Sequence, residues 1–332
     1  MNRPLLALMA DTHLSQQIYK PQTLEMLKSF AELKVNPYDR ALTDEEARDF
    51  LADAQGCITT WGTRALNETA LSNANNLKIV AHAAGTLRFV VTEALWDRNI
   101  VVTSASDAIA VDVAETTLGL MIVSIKRIWQ ISKFMKEGGF YGPERGASRE
   151  MNGKTIGIIA ASNIGRRVMD FLRGFDVSIL LYDPYCSEER ARQYNARKVD
   201  LETLLKDSDI ISIHAPANEE THYMFNSRTL KQMKDDAILI NTSRGALIDE
   251  AALITELSKG RLFACLDVFD PEPPEVDSPL RKLDNCLVTP HIAGCISNCT
   301  RMGDMAAEEL RRFFAGEKQL HPITREMMKV IA

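Results

Sequence analysis

The chain has 332 residues, a length that favours two domains over one. Its 39 Lys and Arg against 45 Asp and Glu give a net charge of −6, which argues against a nucleic-acid partner, since such binding is mostly phosphate neutralisation by basic residues. Hydrophobic content of 45% with 25% charged residues is globular composition, enough for sizeable cores. The longest run free of Asp, Glu, Lys and Arg, residues 285–300, is shorter than a membrane helix and contains Pro290, so no membrane partner is expected. The opening MNRPLLALMADTH is interrupted too soon for a signal peptide and reads as a first core strand. The six cysteines form no CxxC pair and predict reduced thiols in a cytoplasmic protein.

Short apolar β-type runs alternate with segments of helical period, the pattern of parallel α/β layers. In the first third, strands are predicted at 4–10, 57–61, 78–81 and 100–103. A helix is predicted over 16–33 on the period Leu24, Leu27 and Phe30, with shorter ones over 65–73 and 90–97. Thr43 before Glu45 and Glu46 reads as an N-cap with acids in the first turn. A long helix follows over 113–135; its middle, 118–125, is apolar all round, which predicts burial. The Gly-rich stretch 138–146 reads as a flexible arm or a subunit contact.

Beyond it, strand candidates recur at 155–160, 177–182, 210–214, 237–241, 262–267 and 287–289. Helical segments at 164–173, 188–195, 201–207, 227–233 and 249–259 lie between them. Six strands with crossing helices suit a doubly wound sheet. A last helix over 300–315 leads back out, so the tail can rejoin the first unit. The expected fold is α/β, with two Rossmann-like doubly wound parallel-sheet domains. One is discontinuous and flavodoxin-like, residues 1–106 plus 300–332; the other, 107–299, is an inserted Rossmann domain.

Residues 155–184 have the shape of a dinucleotide-binding βαβ unit, with Asp183 placed 23 residues after Ala160 as the ribose acid. The glycine fingerprint is damaged, its three positions being Ala160, Ser162 and Gly165. Alanine suits the first only if its φ stays negative. Ser162 adds a hydroxyl that must point away or donate to a phosphate oxygen, and Gly165 preserves close helix–strand packing. A sheet unit with no ligand would read much the same. Asp183, with no cation beside it, points to NAD rather than NADP.

Three later strand ends carry chemistry. INTSRG presents Arg244, DVFDPEPP presents Glu272 between prolines, and TPHIAG presents His291. Read together they suit reduction of an α-keto acid. A guanidinium forks onto the carboxylate and polarises the ketone, an imidazole moves the proton, and a carboxylate orients the imidazole. Singly, each has a plain alternative: a surface ion-pair partner, a turn residue, a core histidine. Cys295 and Cys299 at i, i+4 lack companion ligands, so no metal site is expected.

The sequence resembles the D-isomer-specific 2-hydroxyacid dehydrogenase family over nearly its whole length. LKIVAHAAG, VAETTLGLM, GIIAASNIG, IHAP, INTSRGALID, LDVFDPEP and TPHIAG carry the resemblance. It implies an NAD-dependent enzyme acting on a small 2-hydroxy or 2-keto acid, with the first domain binding substrate. Arg244, Glu272 and His291 would be catalytic, Arg244 and His291 also touching cofactor and substrate. Ser162, Asn163, Ile164 and Gly165 would lie at the pyrophosphate, and Asp183 at the adenine ribose. His214, Ala215, Pro216 and Thr221 would line the adenine side. Thr242 and Ser243 would meet the nicotinamide half, Asp267 its carboxamide, with Ala293 and Gly294 closing over the ring. Gly85 and Thr86 would offer N–H groups to the substrate carboxylate. The family's acidic substrate loop is shorter here and its acids are gone; Arg88 is new, either a second anion contact or a surface arginine. A homodimer through residues 113–150 is implied. The rival readings are an NAD(H)-sensing corepressor-like protein on the same fold and a phosphite or other anion dehydrogenase.

Overall fold

Runs of about four apolar residues become strands buried on both faces, as parallel sheets covered by helices require. In the computed structural model, which describes residues 3–295 and 299–329, the chain divides into two units. One unit takes the residues up to Ile109 together with those from Cys295 on; the other is Ala110–Gly294. Residues 1, 2, 296–298 and 330–332, which fall inside the expected domain bounds, lie outside the described residues.

In the first unit β1 (Leu5–Leu8), β2 (Glu32–Val35), β3 (Gly56–Thr59), β4 (Ile79–His82) and β5 (Val101–Ser104) pair in parallel in the order β5-β4-β3-β1-β2. That is the doubly wound order 2-1-3-4-5. The predicted helix over 16–33 is two helices, Thr12–Ile18 and Pro21–Phe30, because Pro21 occupies a first helical position and starts the second. Its expected last residues are instead β2, a half-exposed edge strand whose short run carries no alternation to betray it. Thr43 caps helix Asp44–Leu51 in a reciprocal capping box with Glu46.

The second unit holds β6 (Lys154–Ile159), β7 (Val177–Tyr182), β8 (Ala196–Lys198), β9 (Ile210–Ile213), β10 (Ile238–Asn241), β11 (Phe263–Leu266) and β12 (Cys286–Val288). Their order, β12-β11-β10-β9-β6-β7-β8, switches direction between β6 and β9, the place where such sheets bind ligands. The sheet has seven strands rather than six; β8 is a three-residue edge strand too short to show a period. In the first unit, β13 (Pro322–Ile323) brings the tail back antiparallel to β5.

The predicted helix over 113–135 is also two, Ser106–Ile125 and Ile128–Lys136, broken at Arg127 with φ +54. Arg127 is held there by Asp236 Oδ1 at 3.0 Å and by the Phe263 ring, 4.3 Å from its guanidinium. Helix Ser106–Ile125 is long and apolar enough to cross a membrane by length and composition, despite Asp107, Asp112 and Glu115; half of its most apolar stretch is buried. Its Ala114, Met121 and Ile125 belong to the core around Ile156 and Ile158 of β6. The burial expected over 118–125 is partial: Leu118, Leu120, Ile122 and Val123 are only half-buried, and Gly119 is exposed. All six cysteines are buried, and none is in a disulfide.

Candidate active site

β10, β11 and β12 are parallel neighbours, so the loops leaving them emerge along one edge of the second unit's sheet. These loops carry Arg244, Glu272 and His291. Asn241, fully buried at the end of β10, grips the first loop twice. Its Oδ1 accepts from the Ser243 N–H at 3.0 Å, and its Nδ2 donates to the Arg244 carbonyl at 2.8 Å. Arg244 is half-buried, its Nη1 donating to the Ser243 carbonyl at 2.7 Å. The Thr242 hydroxyl pairs with Thr117 Oγ1 at 3.0 Å, and Ser243 Oγ donates to the Ala215 carbonyl at 2.6 Å.

Asp267 is fully buried and shapes the loop that bears the histidine. Its Oδ1 accepts from the Thr289 hydroxyl at 2.5 Å and the Ile292 N–H at 2.8 Å, and its Oδ2 from the Ala293 N–H at 2.8 Å. Its carbonyl accepts from the His291 N–H at 2.9 Å. From helix Ser106–Ile125, Thr116 Oγ1 donates to the Ala293 carbonyl at 3.0 Å. These ties hold His291 at φ +54, a left-handed state that a residue with a Cβ adopts only when its surroundings fix it. His291 Nδ1 lies 2.5 Å from Glu272 Oε1, while the two side chains stay 52% and 40% exposed. That pairing fixes the ring through Nδ1 and leaves Nε2 for a reacting group.

At the sheet's switch point, Ala160 has φ +73. The expectation of a negative φ is therefore wrong: the turn keeps the geometry of the missing glycine, and the alanine carries the strain. Ser162 does not turn away from the helix it opens. Its Oγ caps helix Asn163–Leu172 by accepting from the Gly165 N–H at 3.3 Å, which leaves the hydroxyl hydrogen available to donate. A Cβ on Gly165 would lie 2.1 Å from the Ala160 carbonyl oxygen, so close packing is obligatory there. Asn163 Oδ1 accepts from Arg166, whose other nitrogen donates to the Ala161 carbonyl at 2.7 Å; Ile164 is half-buried. Asp183 Oδ2 accepts from the Ala161 N–H at 2.8 Å, and Oδ1 from the Tyr185 and Cys186 N–H groups at 2.8 and 3.1 Å.

His214 is buried, with Nε2 3.0 Å from Ser212 Oγ, and burial pushes its pKa down to about 3. It supports the turn from beneath: its Cβ would lie 3.5 Å from a Cβ on Gly165. Ala215 is buried and Pro216 half-buried, and Thr221 Oγ1 donates to the Pro216 carbonyl at 2.6 Å, folding that loop on itself. Ala293 is buried and Gly294 half-buried. Gly85 and Thr86 belong to the first unit, half-buried in the turn after β4, with Arg88 exposed next to them. Behind that turn His82 Nδ1 lies 2.9 Å from Thr59 Oγ1; burial pushes His82 down to about 4 against the opposing pull of the Thr86 backbone.

The switch-point residues fit a dinucleotide. A ten-residue helix begins at this turn behind a capping hydroxyl with a proton to give. The turn excludes any side chain at Gly165. Asp183 accepts three hydrogen bonds out of about four acceptor positions, so one remains for a ribose hydroxyl. Sequence reasoning missed Asn241, Thr116 and Thr289. Only Asn241 left a signal, an Asn closing a buried strand two residues before a polar loop.

Residues 118–293 match the sequence profile of the D-isomer specific 2-hydroxyacid dehydrogenase, NAD binding domain. The D-3-phosphoglycerate dehydrogenase of Methanocaldococcus jannaschii is 33% identical over 297 residues, 89% of this chain and 56% of that one. The chain thus spans about half the length of the phosphoglycerate dehydrogenases it matches. The glyoxylate reductase of Thermofilum pendens is 34% identical over 325 residues, 92% of each chain. Among solved structures, D-lactate dehydrogenase with NAD+ from Lactobacillus jensenii superposes with a TM-score of 0.81 at 25% identity, over 97% of this chain and 100% of that one. With an NAD binding domain matched across more than half its length, the chain belongs to the D-isomer specific 2-hydroxyacid dehydrogenase family.

Proposed function

We propose that this protein is an NAD-dependent oxidoreductase interconverting a small D-2-hydroxy acid and its 2-keto acid. The observation that carries the reading is the 2.5 Å pairing of His291 Nδ1 with Glu272 Oε1, on the sheet edge that also bears Arg244. NAD(H), when bound, supplies or accepts the hydride. Ser162, Asn163, Ile164 and Gly165 hold its pyrophosphate and Asp183 its adenine ribose, where a carboxylate disfavours the 2′-phosphate of NADP. Arg244 forks onto the substrate carboxylate and polarises the neighbouring keto oxygen. His291 gives a proton to that oxygen from Nε2 during reduction and takes it back during oxidation, a role worth about 10²–10⁴ in rate. Glu272 fixes the imidazole through Nδ1, so that Nε2 faces the reacting oxygen. Gly85 and Thr86 offer backbone N–H groups to the carboxylate. On this reading the first unit binds substrate, the second binds cofactor, residues 113–150 form a homodimer contact, and the protein works in the cytoplasm.

The test is a screen of NADH oxidation over glyoxylate, hydroxypyruvate, pyruvate, phenylpyruvate, 2-ketoisocaproate and 3-phosphohydroxypyruvate. The related glyoxylate and hydroxypyruvate reductases put the first two at the head of the panel. Turnover with at least one of them, slower with NADPH, is expected. Firm NADH binding with no turnover on any of them would replace this reading with an NAD(H) sensor.

A further inference from the structure

Glu250 is the first residue of helix Glu250–Ser258. An acid in a first turn is ordinary, because it faces the positive end of the helix dipole. This helix already has its cap, however: Asp249 Oδ1 accepts from the Ala252 N–H at 3.1 Å. Glu250 reaches across instead. Its Oε1 accepts from the Asp270 N–H at 2.9 Å, in the turn that presents Glu272.

The same turn is gripped from the Arg244 loop. Gly245 packs so closely that a Cβ there would lie 1.9 Å from the Phe269 carbonyl carbon and 2.6 Å from the Asp270 nitrogen. Phe269 N–H in turn donates to Glu272 Oε2 at 3.4 Å, and Glu272 Oε1 meets His291 Nδ1 at 2.5 Å. A continuous series of contacts therefore runs from Glu250 through the 269–270 backbone to Glu272 and the histidine ring. Glu250 itself is half-buried, and burial pushes its carboxyl above the usual range, with the Asp270 N–H opposing and the Asp270 charge adding to the rise. A carboxylate is disfavoured in such a place unless its hydrogen bond compensates.

We infer that Glu250 is a positioning residue, a latch on the 269–273 turn that sets where Glu272 meets His291. The inference rests on the proposed reaction but can fail separately from it. Glu250→Gln keeps an acceptor oxygen for the Asp270 N–H, whereas Glu250→Ala removes it. A small displacement of a catalytic pair is costly, so Glu250→Ala is expected to lower kcat by about 10–100-fold. KM for NADH and for the keto acid should stay near the wild-type values, and Glu250→Gln should recover most of the rate. A second readout needs no turnover: the far-downfield Nδ1 proton resonance of His291, assigned by its disappearance in His291→Gln. It should vanish in Glu250→Ala and persist in Glu250→Gln. Unchanged kcat and an unchanged resonance in Glu250→Ala would overturn the latch. So would equal losses in the Ala and Gln variants with a matching drop in unfolding temperature. If the wild type reduces no 2-keto acid, the proposed reaction falls, and the resonance alone still decides for or against the latch.

Discussion

Arg244 is held by its own loop: Nη1 donates to the Ser243 carbonyl, and Asn241 holds its main-chain oxygen. A guanidinium fixed in this way needs little rearrangement to meet a carboxylate, which is the source of its expected contribution. Arg244→Ala should lower kcat/KM for the keto acid by about 10²–10³, the usual cost of losing one preorganised donor. NADH affinity, followed by fluorescence titration, should stay near wild type; a collapse of NADH binding would make Arg244 a cofactor residue instead. Two buried histidines give a second prediction, about stability. Burial holds His214 near 3 and His82 near 4, below the ordinary value of 6.5. Below pH 6.5 the unfolded chain therefore binds protons that the folded chain refuses, and stability falls as pH drops toward those values. Above pH 6.5 neither form takes up the extra proton, and these two groups add no pH dependence. The loss is about 1.4 kcal/mol per pH unit for each histidine inside the window. Urea unfolding at pH 7.5 and pH 5 measures it, and His214→Asn should flatten part of the decline. A decline of the same steepness in that variant would mean other groups cause it.

The βαβ turn shows what an element can conceal. Its strand, helix and terminal acid are legible in the sequence because each has its own local signature: an apolar run, an amphipathic period, and an Asp at the expected spacing. Its damage is harder to judge, since alanine at φ +73 violates the rule that made it acceptable. The left-handed state costs a residue with a Cβ about 1–2 kcal/mol, so Ala160→Gly should stabilise the second unit, less the added entropy of a glycine in the unfolded chain, by about 1 kcal/mol. A urea midpoint that does not rise would show the strain relieved elsewhere. Gly245→Ala tests the opposite case. Its Cβ would strike the Phe269–Asp270 backbone, so the Arg244 loop and the Glu272 turn cannot both keep their places. Turnover should fall about 10²-fold or more from misplacement alone. Retained turnover would show that the two loops move independently. The three strand ends were legible for the same reason as the turn, because apolar runs stop at polar loops. The wrapping of the histidine loop around Asp267 was not, since its donors Thr289, Ile292 and Ala293 stand 22 to 26 residues away and only folding brings them in. The break at Arg127 was hidden likewise, because Asp236 and Phe263, which stabilise it, lie far along the chain.

Across the whole chain, apolar content predicts burial only where something in the same chain is available to cover it. Residues 118–125 read as a core segment, yet Leu118, Leu120, Ile122 and Val123 remain half-buried. Helix Ile128–Lys136 has no buried residue, although Trp129, Gln130 and Lys133 all tie to Asp284 and fix it in place. Its own Ile128 and Met135, and Phe140 and Tyr141 just after it, are 48%, 55%, 56% and 80% exposed. The Phe140 and Tyr141 rings meet edge to face, 4.8 Å between centroids, and exposed apolar side chains gathered into a patch mark interaction sites. A second copy of the chain is the occupant that the family resemblance implies for residues 113–150, and a stable interface needs more than about 1,000 Å² of buried surface. Sedimentation at micromolar concentration should give twice the 37.1 kDa chain mass. Met135→Asp combined with Tyr141→Ser puts a charge into the patch and strips an aromatic ring from it without touching Asp284 or the sheet, so the variant should sediment as a folded single chain. A wild-type protein that sediments as one chain, or a variant that stays double, would assign the exposed residues to some other partner and leave the cofactor-binding unit as argued.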